Sequence, residues 1–214
     1  MELIILASLI VSTFFTALGA LSHTSKRAIV FLALQAASIG FVELVYCLLE
    51  LITGLHMEAL ISFLAAFVEW FTSAAVSPLI IYWGVIKTED VSEKPLIHNR
   101  KVVISIVVLP VLWLTLGYWF SNILPERLNV LPFVALMLLL SSIPIVYRKD
   151  PLKILVGLNM AENSLYPLIA ESPISLVPFM LGLMVFVNLV GIFVVMEAYR
   201  DYGTTLVSKW RLNG

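Results

Sequence analysis

The chain has 214 residues, of which 61% are hydrophobic and 13% are charged, and its mean hydropathy is +1.02. This composition leaves too little polar surface to cover a water-soluble globule, so we predict an all-α polytopic membrane protein. The net charge of −1 argues against a nucleic-acid partner. The single cysteine, Cys47, excludes an internal disulfide and any zinc or iron–sulfur site held by several thiolates of this chain.

Seven apolar stretches are long enough to cross a membrane, at roughly 20 residues per crossing. The predicted transmembrane helices are 3–22, 28–52, 58–86, 101–120, 128–147, 151–171 and 174–199. They form a single membrane domain, with three spans in 1–86, a polar connection at 87–100, two spans in 101–147, and the last two spans and the tail in 148–214. We expect the first stretch to be a retained span, because it lacks the basic start of a signal peptide. The third stretch exceeds one crossing and should tilt, project or kink near Pro78.

Basic residues indicate the orientation, because positively charged loops tend to remain cytoplasmic. Arg127 alone lies in a connection on the opposite side. All the others share one side if there are seven spans: Lys26, Arg27, Lys87, Lys94, Arg100, Lys101, Arg148, Lys149, Lys153, Arg200, Lys209 and Arg211. We therefore predict an outside N-terminus and a cytoplasmic C-terminus in a prokaryotic cell membrane. Connection 87–100 is the longest polar stretch and the expected contact with a cytoplasmic partner.

Glutamates interrupt the most apolar stretches, at Glu43, Glu50, Glu69, Glu162 and Glu197. A carboxylate in the middle of a bilayer costs at least roughly 2.5 to 3.5 kcal/mol, so an acid retained there indicates function. We therefore predict that the mid-membrane acids handle protons or ions.

Glu162 lies roughly 16 Å from the inner end of its span, near the middle of a ~30 Å hydrocarbon core. Asn159, Asn163 and Tyr166 share its helical face at three- and four-residue spacing. Pro167 cannot donate a hydrogen bond to the Asn163 carbonyl. This polar stripe predicts a hydrated relay, and the alternative is a protonated acid bonded across a helix interface.

Other polar residues extend the predicted path. Glu69 reaches a comparable depth from the outer side, on a face of small and polar residues that also suits close helix packing. Glu43 and Glu50 share a face and predict an entry or exit step, although Glu50 also suits a solvated helix end. Asn188 is either a relay group or a hydrogen-bonding contact between helices, and Gln35 is similar.

The remaining polar residues indicate surface roles. Glu197 lies one turn before Arg200 and predicts an interfacial ion pair. His23, His56 and His98 have no second ligand at helical spacing, so we predict no metal site. We find no phosphate-binding loop and no catalytic triad, and we predict no catalytic residue in this chain.

Several segments resemble a known family. The stretch Lys153–Tyr166, with the Gly-x-x-x-x-Glu-Asn pattern of Gly157–Asn163, resembles the small E-type membrane subunit of group-four hydrogenases of the formate hydrogenlyase type. The tail Tyr199–Thr205 and the run Ser73–Tyr82 are similar too, so the likeness covers nearly the whole chain. The last two spans resemble the NuoK subunit of respiratory complex I, in which a mid-helix glutamate matches Glu162.

The resemblance implies a non-redox subunit of a membrane-bound hydrogenase related to complex I. Its neighbours would be antiporter-like membrane subunits and hydrogenase subunits, and the nickel–iron and iron–sulfur centres would belong to those partners, with no cofactor in this chain. Two departures from the family pattern are visible. Ser73 stands where a membrane lysine is expected before Pro78, with Glu69 one turn earlier, and Leu183 or Met184 stands where a second acid is expected in the final helix.

The leading hypothesis is therefore proton or sodium translocation coupled to electron transfer, with Glu162 as the central carboxyl and Glu69 and Glu43 linking it to neighbouring subunits. One alternative is a structural scaffold within the same membrane arm. Another is a subunit of a cation/proton antiporter complex. A retinal-binding receptor is excluded, because no lysine lies between Lys153 and Lys209 to form a Schiff base in the last span.

Overall fold

The computed structural model describes residues 2–94, 130–169 and 176–210, with isolated positions 96, 100, 102, 104, 107, 108, 110, 111 and 115. Most of these residues are helical, and no strand occurs among them. The helices are α1 (Glu2–Leu21), α2 (Ser25–Ile52), α3 (His56–Glu69), a π-helix (Trp70–Val76), α4 (Ser77–Lys87), α5 (Leu131–Tyr147), α6 (Pro151–Ser164), α7 (Tyr166–Ile169) and α8 (Leu176–Tyr202). A 3₁₀ turn, Val207–Lys209, follows. Most of the predicted fourth span, 101–120, and Arg127 lie outside the described residues.

Four described helical segments are long and apolar enough to cross a membrane. They are Ile4–Leu21, Ser25–Ile52, His56–Lys87 and Leu181–Lys209, and Leu131–Tyr147 is a shorter apolar helix. Large apolar side chains such as Phe14, Leu79, Phe186 and Phe193 face outward. Such surfaces suit hydrocarbon rather than water. The described part is thus an α-helical assembly of the kind found in membranes, with helix bounds close to those predicted.

Helix α2 is central and packs against α1, α3, the π-helix, α4 and α6. It begins at Ser25, where the Thr24 hydroxyl accepts a hydrogen bond from the Arg27 N–H. Asp90 Oδ1 accepts two more, from the N–H groups of Ser25 (2.9 Å) and Lys26 (3.3 Å). These acceptors satisfy donors that a helix start leaves unpaired. The helix therefore begins three residues before the predicted residue 28.

The long third segment changes helix type in its middle. The Ser77 N–H bonds to the carbonyl of Thr72, five residues earlier, as in a π-helix. Pro78 follows directly and has no N–H group. The sequence predicts that this segment tilts, projects or kinks near Pro78, and the structure has a π-helix on the N-terminal side of that proline. Such segments are rare and are frequent at functional sites, and Glu69 is the residue that precedes this one.

The basic connections and the tail meet at one end of the assembly, which we call the basic end. The Glu93 N–H donates to the His23 carbonyl (3.1 Å), and the Val207 N–H donates to the Lys149 carbonyl (3.1 Å). The first bond joins connection 22–24 to connection 87–100, and the second joins connection 148–150 to the tail. The sequence predicts this shared side from the distribution of lysine and arginine.

Three apolar clusters of buried residues lie in the described part of the chain, and a buried polar layer separates the two larger ones along the helices. The cluster nearer the basic end contains Ala28, Ile29, Leu32, Ile81, Val85, Leu152, Val156, Met160, Ile192 and Val195. The other contains Ile5, Leu9, Ile39, Val42, Val45, Val130, Val134, Met137, Tyr166, Leu181 and Met184. The polar layer consists of Gln35, Ser73, Ser77, Asn159, Asn163 and Asn188, all of them buried. This layer is where the candidate site lies.

Trp70 at the start of the π-helix packs tightly on α2. Its indole N–H donates to the Ala37 carbonyl (2.9 Å), and a Cβ atom at Gly40 would lie 2.6 Å from the ring atoms Cδ1 and Nε1. Any side chain at Gly40 would therefore displace the indole. The glycine is required for this close approach between α2 and the third segment.

Gly40→Ala should lower the thermal unfolding midpoint of the detergent-purified chain. Overpacking a close contact costs about 1–3 kcal/mol. Gly182→Ala in α8 is the matched control, because no atom of the described residues lies within 4 Å of its added Cβ. There alanine should be neutral or gain up to about 1 kcal/mol from helix propensity. Equal midpoints for the two variants would contradict the Trp70 contact.

Candidate functional site

Glu69 is the most enclosed acid of the candidate site. Its side chain, at the last residue of α3, is 0% exposed. The Ser73 hydroxyl donates a hydrogen bond to Oε2 (3.1 Å), whereas buried Oε1 has no hydrogen-bond partner among the described residues. One carboxyl oxygen is thus held, and the other is available to water or to a mobile proton.

Three further ionisable side chains lie close enough to Glu69 to interact with it electrostatically. Glu69 interacts with Glu43 and Glu162, and Tyr166 interacts with all three acids. These side chains come from α2, α3, α6 and α7, so the fold gathers acids that are up to 119 positions apart in the sequence, between residues 43 and 162. We call Glu43, Glu69, Glu162 and Tyr166 the acid cluster.

The three acids of the cluster differ in burial. The sequence predicts Glu162 as the central carboxyl, with Glu69 and Glu43 leading outward. In the structure Glu69 and Glu43 are buried, whereas Glu162 is only half-buried. Equal membrane depth does not imply equal enclosure, because the neighbouring helices decide which side of a helix is covered. Glu69 is the most deeply buried of the three glutamates, and Glu162 is the least buried.

Asn163 and Tyr166 add unsatisfied polar atoms beside the acids. Both amide atoms of Asn163 and the Tyr166 hydroxyl are buried without a hydrogen-bond partner among the described residues. Helix α6 ends at Ser164, Leu165 forms a turn, and α7 begins at Tyr166. Buried polar atoms are normally hydrogen-bonded to protein or to ordered water. Ordered water is therefore the expected partner for these three atoms.

Asn159 and Asn188, by contrast, satisfy each other. The Asn159 Nδ2 donates to Asn188 Oδ1 (2.7 Å) and the Asn188 Nδ2 donates to Asn159 Oδ1 (2.8 Å), which joins α6 to α8. Gln35 similarly joins α2 to α6, since its Nε2 donates to the Met160 carbonyl (3.1 Å). Reciprocal pairs of this kind favour the structural role for Asn159 and Asn188 over the relay role.

The outlying residues take simple roles. Glu50 accepts a hydrogen bond from the Ser62 hydroxyl (2.7 Å), which links α2 to α3 away from the polar layer. Glu197 lies 3.8 Å from Arg200 on an exposed surface, as the sequence predicts. Cys47 is buried.

The acids of connection 87–100 bind within the chain, and the sequence gives no signal of this. We call Glu89, Asp90 and Glu93 the acid clasp. Each accepts a hydrogen bond of 2.9 Å from a backbone N–H of another segment: Thr205 to Glu89, Ser25 to Asp90 and Lys149 to Glu93. These three carboxylates thus fasten the tail, α2 and the connection 148–150 to connection 87–100.

The clasp also holds a buried lysine. Lys153 is 1% exposed, and its Nζ donates to the Val91 carbonyl (2.9 Å) and to Glu93 Oε2 (3.1 Å). Asp150 Oδ2 lies 3.9 Å from the same nitrogen. In the sequence Lys153 lies close to the basic connection 148–150, which suggests a solvent-exposed side chain. In the structure this side chain is buried at the basic end.

Burial shifts two ionisable groups beside Lys153. It raises the pKa of the Asp150 carboxyl, against the opposing effects of the Ser25 hydroxyl (2.5 Å) and the Lys153 ammonium. It lowers the pKa of the Arg148 guanidinium, against the attraction of Glu93 and Asp150. The attraction between opposite charges thus offsets part of the free-energy cost of removing these groups from water.

The described residues include no group of three or more His, Cys, Asp or Glu side chains that could hold a metal ion. Comparison with protein-family models, curated proteins and solved structures finds no match to this chain. Function must therefore be inferred from the acid cluster and its surroundings.

Glu93→Ala should destabilise the chain, because removing one partner of a buried ion pair leaves the other charge uncompensated, at a cost of up to roughly 3–5 kcal/mol. Glu58→Ala, at an exposed acid in the first turn of α3, is the control and should change stability little. Adding Lys153→Met to Glu93→Ala should restore part of the loss. Thermal unfolding measures all three, and equal effects at positions 58 and 93 would contradict the clasp.

Asn159 and Asn188 form a reciprocal amide pair. Replacing either residue should lower the free energy of unfolding by more than half of the loss caused by replacing both. Asn159→Leu or Asn188→Leu leaves one buried amide unpaired, whereas the double substitution leaves none. A double-mutant cycle on unfolding should give a coupling of about 0.6 kcal/mol, with an upper value near 1.7 kcal/mol. Strictly additive effects would show that the two amides act independently.

Proposed function

We propose that this chain is a non-redox membrane subunit of a membrane-bound hydrogenase related to complex I, in which the acid cluster carries protons or sodium ions during electron transfer. One observation supports the ion-handling role most strongly. Glu69, Glu43 and Glu162 interact electrostatically inside the helical assembly, next to unsatisfied atoms of Asn163 and Tyr166. A purely structural core would be expected to satisfy such groups.

The chemistry proposed for the cluster is reversible protonation. Half-buried Glu162 receives or releases the ion at the edge of the chain, where a neighbouring subunit is expected. Tyr166 can both donate and accept a hydrogen bond, and it interacts with every acid of the cluster. Glu69 then holds the proton at the centre, where the Ser73 hydroxyl keeps one carboxyl oxygen fixed. Water bound to the free oxygen of Glu69 and to Asn163 would complete the path.

The proposal includes the topology. Seven spans place the basic end in the cytoplasm and the N-terminus outside, in a prokaryotic cell membrane. Connections 22–24, 87–100 and 148–150 and the tail all meet at one end of the assembly, which supports this orientation. Exposed apolar faces on α1, α4 and α8 are then available to lipid and to antiporter-like and hydrogenase subunits, which would hold the nickel–iron and iron–sulfur centres.

Glu69→Gln is the most informative substitution for the ion path. A glutamine can still accept the Ser73 hydrogen bond but cannot exchange a proton at neutral pH. In membrane vesicles containing the whole complex, coupled proton or sodium uptake should fall at least about tenfold, since a positioned acid or base contributes about 10²–10⁴ to a proton-transfer step. Assembly and electron transfer to a soluble acceptor should persist. Glu162→Gln should act in the same direction.

Glu197→Gln is the matched control, because it removes an exposed carboxylate from the same chain. It should leave uptake unchanged. Normal uptake in Glu69→Gln and Glu162→Gln would favour the scaffold role, in which the acids serve only as hydrogen-bonding groups.

The hydrogenase assignment has its own test, which is isolation of the native complex and identification of the proteins that co-purify. Nickel–iron hydrogenase subunits are expected. Their absence, together with ion exchange by vesicles containing this chain alone, would instead support an antiporter component.

A further inference from the structure

A cavity of about 700 Å³ opens at the basic end, away from the acid cluster. It lies between connection 87–100, the end of α5 and the tail. Its lining includes the cationic side chains of Lys94, Arg100, Arg148 and Lys149 and the carboxylate of Glu93. The volume is within the range of small-molecule sites, roughly 300–1,000 Å³. The excess of positive charge indicates an anionic ligand.

The cations of this cavity are of two kinds. Lys94, Arg100 and Lys149 are exposed, and none of them belongs to an ion pair found among the described residues. Arg148 is buried, and its guanidinium donates to the carbonyls of Lys94 (3.2 Å) and Ser22 (2.5 Å). Its Nε is buried without an acceptor in the described part of the chain. The cavity therefore combines a buried guanidinium, which lies 3.8 Å from Glu93 Oε2, with three exposed cations that have no ion-pair partner among the described residues.

The position of the cavity identifies the kind of anion. Tyr147, which lines it, is the last residue of α5, and the preceding Val146 is strongly exposed, as expected for a side chain that faces lipid. Leu96 and Leu206 add apolar surface to the lining. Tyrosine and basic residues at the end of an apolar helix mark the headgroup level of a membrane. An amphiphilic anion fits such a boundary better than a free one.

We propose that this cavity binds the phosphate of an anionic phospholipid. Lys94, Arg100 and Lys149 contact the phosphate oxygens, Arg148 supplies fixed positive charge behind them, and the glycerol and first acyl carbons lie along Leu96 and Leu206. Basic pockets between helices on one membrane face are known to suit such headgroups. The proposal concerns a lipid site and does not depend on the ion-translocation role.

The test is lipid titration of the full chain, purified in a zwitterionic detergent and observed by native mass spectrometry. Phosphatidylglycerol should bind at least tenfold more tightly than phosphatidylcholine. The combined substitution Lys94→Gln, Arg100→Gln and Lys149→Gln should abolish this preference. Lys149→Gln or Lys94→Gln alone, at exposed side chains that leave the clasp acids in place, should each weaken phosphatidylglycerol binding several-fold.

The control removes the same charge from the same end of the molecule. Lys26, Arg27 and Lys87 are exposed and lie outside the cavity lining, and their combined replacement by glutamine should preserve the preference. An equal loss in both triple variants would show general surface attraction and overturn the proposal. So would equal binding of the two lipids. Displacement of phosphatidylglycerol by millimolar inorganic phosphate would assign the cavity to a free anion instead.

Discussion

A carboxyl group enclosed by membrane-spanning helices must find its hydrogen-bond partners inside the protein, because hydrocarbon offers none. Most polar groups of the central layer meet this condition. Asn159 pairs with Asn188, and the Gln35 amide reaches the Met160 carbonyl. Glu69 meets it only in part, since one of its oxygens is left without a partner among the described residues. The functional interpretation depends on this difference between satisfied and unsatisfied groups within one layer.

The surrounding structure holds the layer in position from both directions along the helices. On one side, the π-helix after Glu69 is fixed to α2 by the Trp70 indole, which lies against Gly40. On the other, the acid clasp binds the backbone of three separate segments, and Lys153 is buried against it. The helices that carry the acids are thus tied together at the basic end, while the π-helix leaves the backbone near Glu69 less regular. Under the proposed function, such a frame would allow an ion to move past the acids without opening the helical assembly.

The sequence predicts the helices well and their contacts poorly. Hydropathy locates α1, α2, α5 and α8 within a few residues, because an apolar run of membrane length has few alternatives to a helix. It places the start of α2 three residues late, since Ser25, Lys26 and Arg27 are polar. The Ser25 and Lys26 N–H groups donate to Asp90, which is 65 residues away from Ser25, and the Arg27 N–H donates to the Thr24 hydroxyl. It also misses the π-helix, for which Pro78 is only an indirect sign. The predicted fourth span cannot be compared, because most of it lies outside the described residues.

The candidate site is foreseen in composition but not in arrangement. The spacing of Asn159, Glu162, Asn163 and Tyr166 predicts one polar face, yet these residues have different surroundings in the structure. Asn159 is satisfied by Asn188, Asn163 is buried, and Glu162 is half-buried. The burial of Glu162 depends on how the neighbouring helices, such as α2, pack against α6, and no local pattern encodes that. The contacts of the clasp acids cannot be predicted from the sequence either. A charged connection has the same sequence pattern whether its side chains contact solvent, a partner or the backbone of the same chain.

Infrared difference spectroscopy of the lipid-reconstituted chain would test the central claim most directly, because it observes the protonation of carboxyl groups themselves. The account predicts a carbonyl band of protonated carboxyl that shifts in heavy water, changes with pH, and loses a component when Glu69 is replaced by glutamine. A Glu69 band that neither exchanges with heavy water nor responds to pH would contradict it, since a carboxyl group sealed from water cannot carry protons.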